Sequence, residues 1–145
     1  MNHTPTTAKP LCAAITATLS VRNGRAAVDF YKTALGATEL YRVEDGGALV
    51  AQLSVEGAEF WVADESPEHE AFSPETLGGG TVKLLLVVDE PQAVIDRAVG
   101  LGARQVYAAE SQHGWMLGRI EDPFGHHWEI GKPLGPWPPR VTHHG

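Results

Sequence analysis

The sequence predicts an α+β domain built from two copies of a β-α-β-β-β unit. Three observations carry this. The stretch "LSVRNGRAAVDFYKTALGATELY" at 19–41 returns as "LVVDEPQAVIDRAVGLGARQVY" at 86–107. Each helical pattern is followed by strand-like segments separated by turn residues. The chain has 145 residues, 43% hydrophobic and 20% charged, which suits one packed domain and argues against global disorder.

The elements follow in chain order. The opening strands are expected at about Leu11–Val21 and Thr81–Val88. Asn23 and Asp89 are good N-caps, because their side-chain oxygens can accept early helical N–H groups. Pro91 falls in a first turn, where a missing N–H costs little. Ala27, Phe30, Tyr31, Ala34 and Leu35 have the spacing of a buried helical stripe, as do Val94, Ile95, Ala98 and Leu101. Gly36 and Gly102 follow the helices, where a left-handed cap favours glycine.

Strands are then expected at Thr38–Val43, Ala48–Val55 and Ala58–Ala63, with turns at Asp45–Gly47 and Glu56–Gly57. In the second copy they are Arg104–Ala108, Trp115–Glu121 and His126–Ile130. Asp122-Pro123-Phe124-Gly125 has Asp first, Pro second and Gly fourth, as a type I turn wants. The expected organisation is a disordered segment at 1–10 and a domain at 11–131. Within the domain, 11–64 and 81–131 are the two units and the polar run 65–80 is a linker. A proline-rich tail occupies 132–145, in which Trp137 can pin the chain to the body or to a partner chain.

Composition narrows the function. The formal net charge is −7, the wrong sign for a generic nucleic-acid surface. It permits a cationic or neutral ligand. Cys12 is the single cysteine, so neither an intramolecular disulfide nor a cysteine zinc motif can form. Cys12 is expected to be a small buried residue rather than a nucleophile. Residues 1–10 lack the apolar stretch of a signal peptide, and no run is long enough to span a membrane. The expected location is the cytoplasm. Neither a nucleophile elbow nor a dinucleotide fingerprint occurs, and Gly78–Gly80 precedes a strand, not the helix N-terminus a phosphate loop needs.

The paired units, the opening "LSVRNGRAAVDFYKTALG" and the closing "RIEDPFGHHWEI" resemble the vicinal oxygen chelate superfamily. That group holds glyoxalase I, the fosfomycin-resistance enzymes, extradiol dioxygenases and the bleomycin-resistance proteins. The resemblance spans about Leu11 to Ile130. It implies a cup-shaped, mostly antiparallel sheet with the helices outside, and commonly a homodimer. It also implies one metal ligand on the first and last strand of each unit. Those positions fall on Thr16, Trp61, Lys83 and Glu129.

Of these four, only Glu129 is a good ligand. A protonated Lys83 has donors and no acceptor, Trp61 offers no suitable lone pair, and Thr16 is a weak neutral ligand. Lys83 and Glu129 are expected to pair inside the cup. His126 and His127 are adjacent, so on a strand they point to opposite faces. His127 shares its face with Glu129, and His113 is a candidate third ligand from the preceding loop. The competing reading leaves His126 solvated and gives His127 hydrogen bonds at the sheet edge.

Trp61 is expected to face the cup, Trp115 to stand at its rim after the "AESQHG" loop, and Trp128 to be core. Indole stacks well on aromatic or apolar ligands. Glu129 is the candidate general base, with Glu59 a possible second carboxylate. Two functions follow. One is a binding protein using Thr16, Trp61, Lys83, Trp115, His127 and Glu129 to sequester a drug or metabolite without a cofactor. The other is a glyoxalase-like enzyme, of lyase, isomerase, transferase or dioxygenase type, acting on a small oxygenated substrate with a divalent metal or, without one, with Glu129 and Lys83 as acid–base partners.

Overall fold

A computed structural model of the chain describes residues 11–137. The expected disorder at 1–10 and the tail histidines His143 and His144 lie outside these residues. The first unit comprises β1 (Thr18–Val21), α1 (Gly24–Leu35), β2 (Thr38–Asp45), β3 (Ala48–Val55) and β4 (Ala58–Asp64). The one-turn helix α2 (Pro74–Leu77) follows. The second unit comprises β5 (Lys83–Val87), α3 (Pro91–Gly100), β6 (Arg104–Gln112), β7 (Trp115–Glu121) and β8 (His127–Pro133). Each unit forms a four-stranded sheet, in the order β1-β4-β3-β2 or β5-β8-β7-β6. In both, the first and last strands run parallel and the other pairs antiparallel.

One face of each sheet is covered by its helix. In the first unit Leu19, Val21, Leu49, Ala51, Leu53, Phe60 and Val62 meet the α1 stripe. In the second, Ile120, Trp128 and Ile130 meet Val94, Ile95 and Ala98. These join into one core, because Tyr31 of α1 and Phe60 of β4 pack against Trp128 with ring centroids 5.5 and 5.4 Å away. Removal of such rings from water is the main stabilising term here. The opposite face of each sheet stays open.

Local sequence explains the element boundaries. The Asn23 side chain accepts from Ala26 N at 3.1 Å, and Gly36 ends α1 with φ +71°. Asp89 does not cap α3. Pro91 takes the first helical position, which places Glu90 in the N-cap, and its side chain makes no capping bond. Leu101 lies past the helix and is exposed. The first strand is also shorter than expected. Thr18 pairs with Trp61, so residues before about Ile15 lie beyond the start of β4 at Ala58 and cannot extend this strand pairing. Leu11, Cys12 and Ile15 are exposed there, so Cys12 is not a core residue.

Three other boundaries differ. β6 runs on through Gln112, so most of "AESQHG" is strand rather than loop. β8 continues to Pro133, which an end position permits although a central one would not. The polar run 65–80 is folded. Glu65 accepts from Ser73 N at 2.9 Å and the Thr76 hydroxyl at 2.8 Å, and Ser73 is fully buried.

Candidate functional site on the open sheet faces

Alternation along the strands decides which side chains reach the open faces. In the second sheet, Gly118 marks the helix side, because a Cβ there would lie 2.5 Å from Ile95 Cδ1. The open face therefore receives Trp115, Leu117, Arg119 and Glu121 from β7. Across from them stand Pro133, Gly131, Glu129 and His127 of β8. β5 adds Lys83, Leu85 and Val87, with Lys83 level with His127 and Leu85 with Glu129.

Glu129 is the hub. Lys83 Nζ lies 3.7 Å from its Oε1 and Arg119 Nη2 lies 3.8 Å from its Oε2. The Tyr107 hydroxyl donates to Oε2 at 3.1 Å, and the Arg119 guanidinium sits 5.4 Å from the Tyr107 ring centroid. Partial burial first, and then the neighbouring Glu129 carboxylate, push the Tyr107 phenol above its ordinary pKa. Two polar atoms here are buried without a partner, Arg119 Nε and His127 Nδ1.

His126 is not solvated. Its Nε2 lies 2.9 Å from the Ser20 carbonyl oxygen and ties the second unit to β1 of the first. The two neighbours thus exchange the roles expected of them: His126 makes the hydrogen bond and His127 keeps an unpaired nitrogen. Both histidines border a cleft of about 200 Å³ where the sheets meet, which Phe72, Leu77 and Val82 cover from the 65–82 segment.

The first sheet has a different character. Trp61 is half-buried on the open face, edge-on to Tyr41 with ring centroids 6.1 Å apart, and paired with Gln52 across the strand. Glu59 is exposed and accepts from Gln52 Nε2 at 2.9 Å. Thr16 lies before β1, exposed, with its hydroxyl donating to the Glu59 carbonyl at 3.4 Å. Trp115 stands at the far end of the second sheet's open face, edge-on to Trp137 at 4.9 Å.

The six expected residues therefore divide. Lys83, His127 and Glu129 come together on adjacent strands. Trp61 belongs with Tyr41 and Gln52, Trp115 with Trp137, and Thr16 with the lead-in to β1. His113 sits in the β6–β7 turn, beyond Trp115, which is itself four residues (about 13 Å) along β7 from Arg119. Sequence reading missed Arg119 and Tyr107. Arg119 was available by even-number counting from Trp115. Tyr107 was not, because β6 shifts register on both sides of it.

The donor set does not suit a divalent ion. Among the described residues no three His, Cys, Asp or Glu side chains converge. The carboxylate at the expected position is flanked by two cationic side chains, whose charge opposes a metal. What the cluster can do is hold a polar group of a small molecule by hydrogen bonds and charge, next to apolar side chains.

Comparison with known proteins agrees with this architecture. A family model described as a glyoxalase-like domain matches residues 16–131. An uncharacterised protein of Mycobacterium tuberculosis is 38% identical over 122 residues, covering 80% of this chain and 72% of that protein. An uncharacterised Arabidopsis thaliana protein is 34% identical over 112 residues, covering 70% and 67%. The crystal structure of an Arabidopsis gene product superposes with a TM-score of 0.66 at 28% identity, covering 84% of this chain and all of that one. The fosfomycin resistance protein FosX of Listeria monocytogenes shares the fold, with a TM-score of 0.66 at 13% identity over 88% of this chain and 97% of its own. Two β-α-β-β-β units, open sheets and this match over most of the chain make it a member of the glyoxalase-like domain family, within the vicinal oxygen chelate superfamily.

Proposed function

We propose that this protein binds a small molecule on its open sheet faces without a resident metal ion, and that it captures its ligand rather than converting it. One observation supports this above the others. Three of the four positions that family enzymes use for metal ligands hold Thr16, Trp61 and Lys83, and the fourth, Glu129, is flanked by Lys83 and Arg119 at 3.7 and 3.8 Å. A carboxylate with two cationic neighbours and a phenol bond is poorly placed to bind a cation. Drug or metabolite sequestration is the corresponding role, in the cytoplasm. The enzyme alternative, with Glu129 as general base, requires a substrate proton to compete with Tyr107 for that carboxylate.

A homodimer belongs to the same proposal. Tyr41, Val43 and Val50 of the first sheet are large apolar side chains left exposed, and a second copy would cover them. Light scattering of the purified protein checks this, and a monomer at all concentrations would remove it.

The experiment for capture combines elemental analysis of tag-free protein with tryptophan fluorescence. Less than stoichiometric metal is expected, together with quenching by members of a small-molecule panel that Trp61→Ala weakens. Stoichiometric metal that disappears in Glu129→Ala, or turnover that depends on Glu129, would replace capture by catalysis.

A further inference from the structure

We propose that the ligand of the second sheet carries an oxyanion of the carboxylate or phosphate type, seated between Lys83 and Arg119. This rests on the capture reading above and specifies its ligand. Lys83 comes from β5 and Arg119 from β7, one on each side of β8. Both are directed at Glu129, and both stop at 3.7–3.8 Å from its oxygens. A charge-assisted N–H···O bond closes to about 2.8 Å. The closest of these contacts on the carboxylate, at 3.1 Å, comes from the neutral Tyr107 hydroxyl.

Two fixed positive charges therefore share one carboxylate, and one unit of positive charge is left over. The Arg119 guanidinium is held against the Tyr107 ring, and its Nε is buried with no acceptor. An unpaired donor of this kind is costly, and the part of the guanidinium that does reach solvent is what an incoming oxyanion meets. The remaining charged groups do not cancel the excess. Arg104 and Glu121 pair with each other at 2.9 Å, and Glu110 stands on the same open face opposite Leu117, with no ion pair to Lys83 or Arg119 among the described residues.

The immediate surroundings of Glu129 thus carry a positive excess, although Arg104, Glu110 and Glu121 balance the face as a whole, in a chain of net charge −7. The overall charge permits a cationic or neutral guest, whereas the groups around Glu129 favour an anionic one. Long-range attraction by the whole chain bears on encounter rate, whereas the groups in contact decide which guest is retained. Leu85 and Val87 share the face with Lys83, half-exposed, and offer an apolar bed beside the charged seat. The guest that fits is an acid with an apolar body.

Equilibrium dialysis with three matched probes tests this: naphthoate, naphthamide and naphthylmethylammonium, which differ only in head group. The native protein should hold naphthoate about tenfold more tightly than naphthamide, with the ammonium weakest. Added salt should shrink that advantage. In Lys83→Met and Arg119→Met, the ratio of naphthoate to naphthamide affinity should fall to about one, and an unchanged circular dichroism spectrum reports that the variants are folded. Arg119→Lys keeps the charge without the planar fork and should lose only part of the preference. If naphthamide or the ammonium binds as well as naphthoate, or if the preference survives both methionine variants, the oxyanion seat is wrong while capture stands. If none of the three probes binds the native protein, the oxyanion seat with its apolar bed is likewise wrong, and capture is then decided by the metal and turnover measurements above.

Discussion

The Tyr31 hydroxyl donates a hydrogen bond to Asp122 Oδ2, joining two residues 91 positions apart and locking one unit onto the other. The same oxygen accepts from Trp128 Nε1 at 2.9 Å, and Oδ1 accepts from Phe124 N and His126 N at 2.9 Å each. Asp122 is buried, and this set of donors is what allows its charge to remain there. Tyr31→Phe removes one charge-assisted bond and should cost about 1.5–3 kcal/mol. Asp122→Ala strands four donors and should cost more. Urea denaturation followed by circular dichroism measures both. Equal, negligible losses would mean that aromatic packing alone joins the units.

Alkaline pH should weaken the fold through two phenols. Burial first, then the Asp122 charge, hold Tyr31 far above its ordinary pKa, and Tyr107 is raised by partial burial and Glu129. In both cases the folded state keeps a proton that the unfolded chain gives up near pH 10. Their contribution is complete below about pH 10 and is lost as pH climbs from there towards the folded-state values. Denaturation midpoints across that range should fall with pH. The slope should be smaller in Tyr31→Phe, and an unchanged slope would contradict the assignment.

The open face of the second sheet depends on how closely its other face meets α3. A Cβ on Gly118 would lie 2.5 Å from Ile95 Cδ1 and 2.8 Å from the Ala109 backbone nitrogen. Because one of those atoms is backbone, the strain cannot be relieved by a rotamer change alone. Gly118→Ala should therefore destabilise by about 1–3 kcal/mol. Gly100→Ala is the control: the added carbon meets nothing within 4 Å at the end of α3, and helix propensity favours it by up to about 1 kcal/mol. Thermal melts that move in opposite directions would bear this out, and a neutral Gly118→Ala would show that α3 can move away from its sheet.

The fold was legible because its signals are local and occur twice. The helical stripes, the glycines after the helices and the Asp122–Gly125 turn each depend on neighbours a few positions away, and Gly125 N does bond Asp122 O at 3.1 Å. The pairing of Lys83 with Glu129 was legible too, since it needs only strand parity. Three features escaped. Arg119 shares its strand with Trp115, whose indole is the stronger local signal. The register shifts around Tyr107 defeat counting by twos. The exchange of roles between His126 and His127 depends on the Ser20 carbonyl, more than a hundred residues away, which local pattern does not reveal.

Glu65 should control the segment that covers the cleft beside His126 and His127. Its carboxylate takes the Ser73 amide and the Thr76 hydroxyl, and Arg22 Nε donates to the same Thr76 oxygen at 3.2 Å. The Ser73 amide bond first, then Thr76, hold the Glu65 pKa below that of an ordinary glutamate. The unfolded chain therefore binds this proton at a higher pH than the folded one. The clasp contributes fully above about pH 4 and is lost as pH falls through the lowered folded value. Gly125 helps to seat the segment, since a Cβ there would lie 2.8 Å from Pro74 Cβ. Glu65→Ala should open the segment at neutral pH, read as faster amide exchange at Ser73 and new protease cleavage after Phe72 or Leu77, both exposed. Far-ultraviolet circular dichroism should change little, because the sheets do not depend on the clasp. Unchanged exchange at Ser73 would assign the segment's hold to Pro74 packing on Gly125 instead.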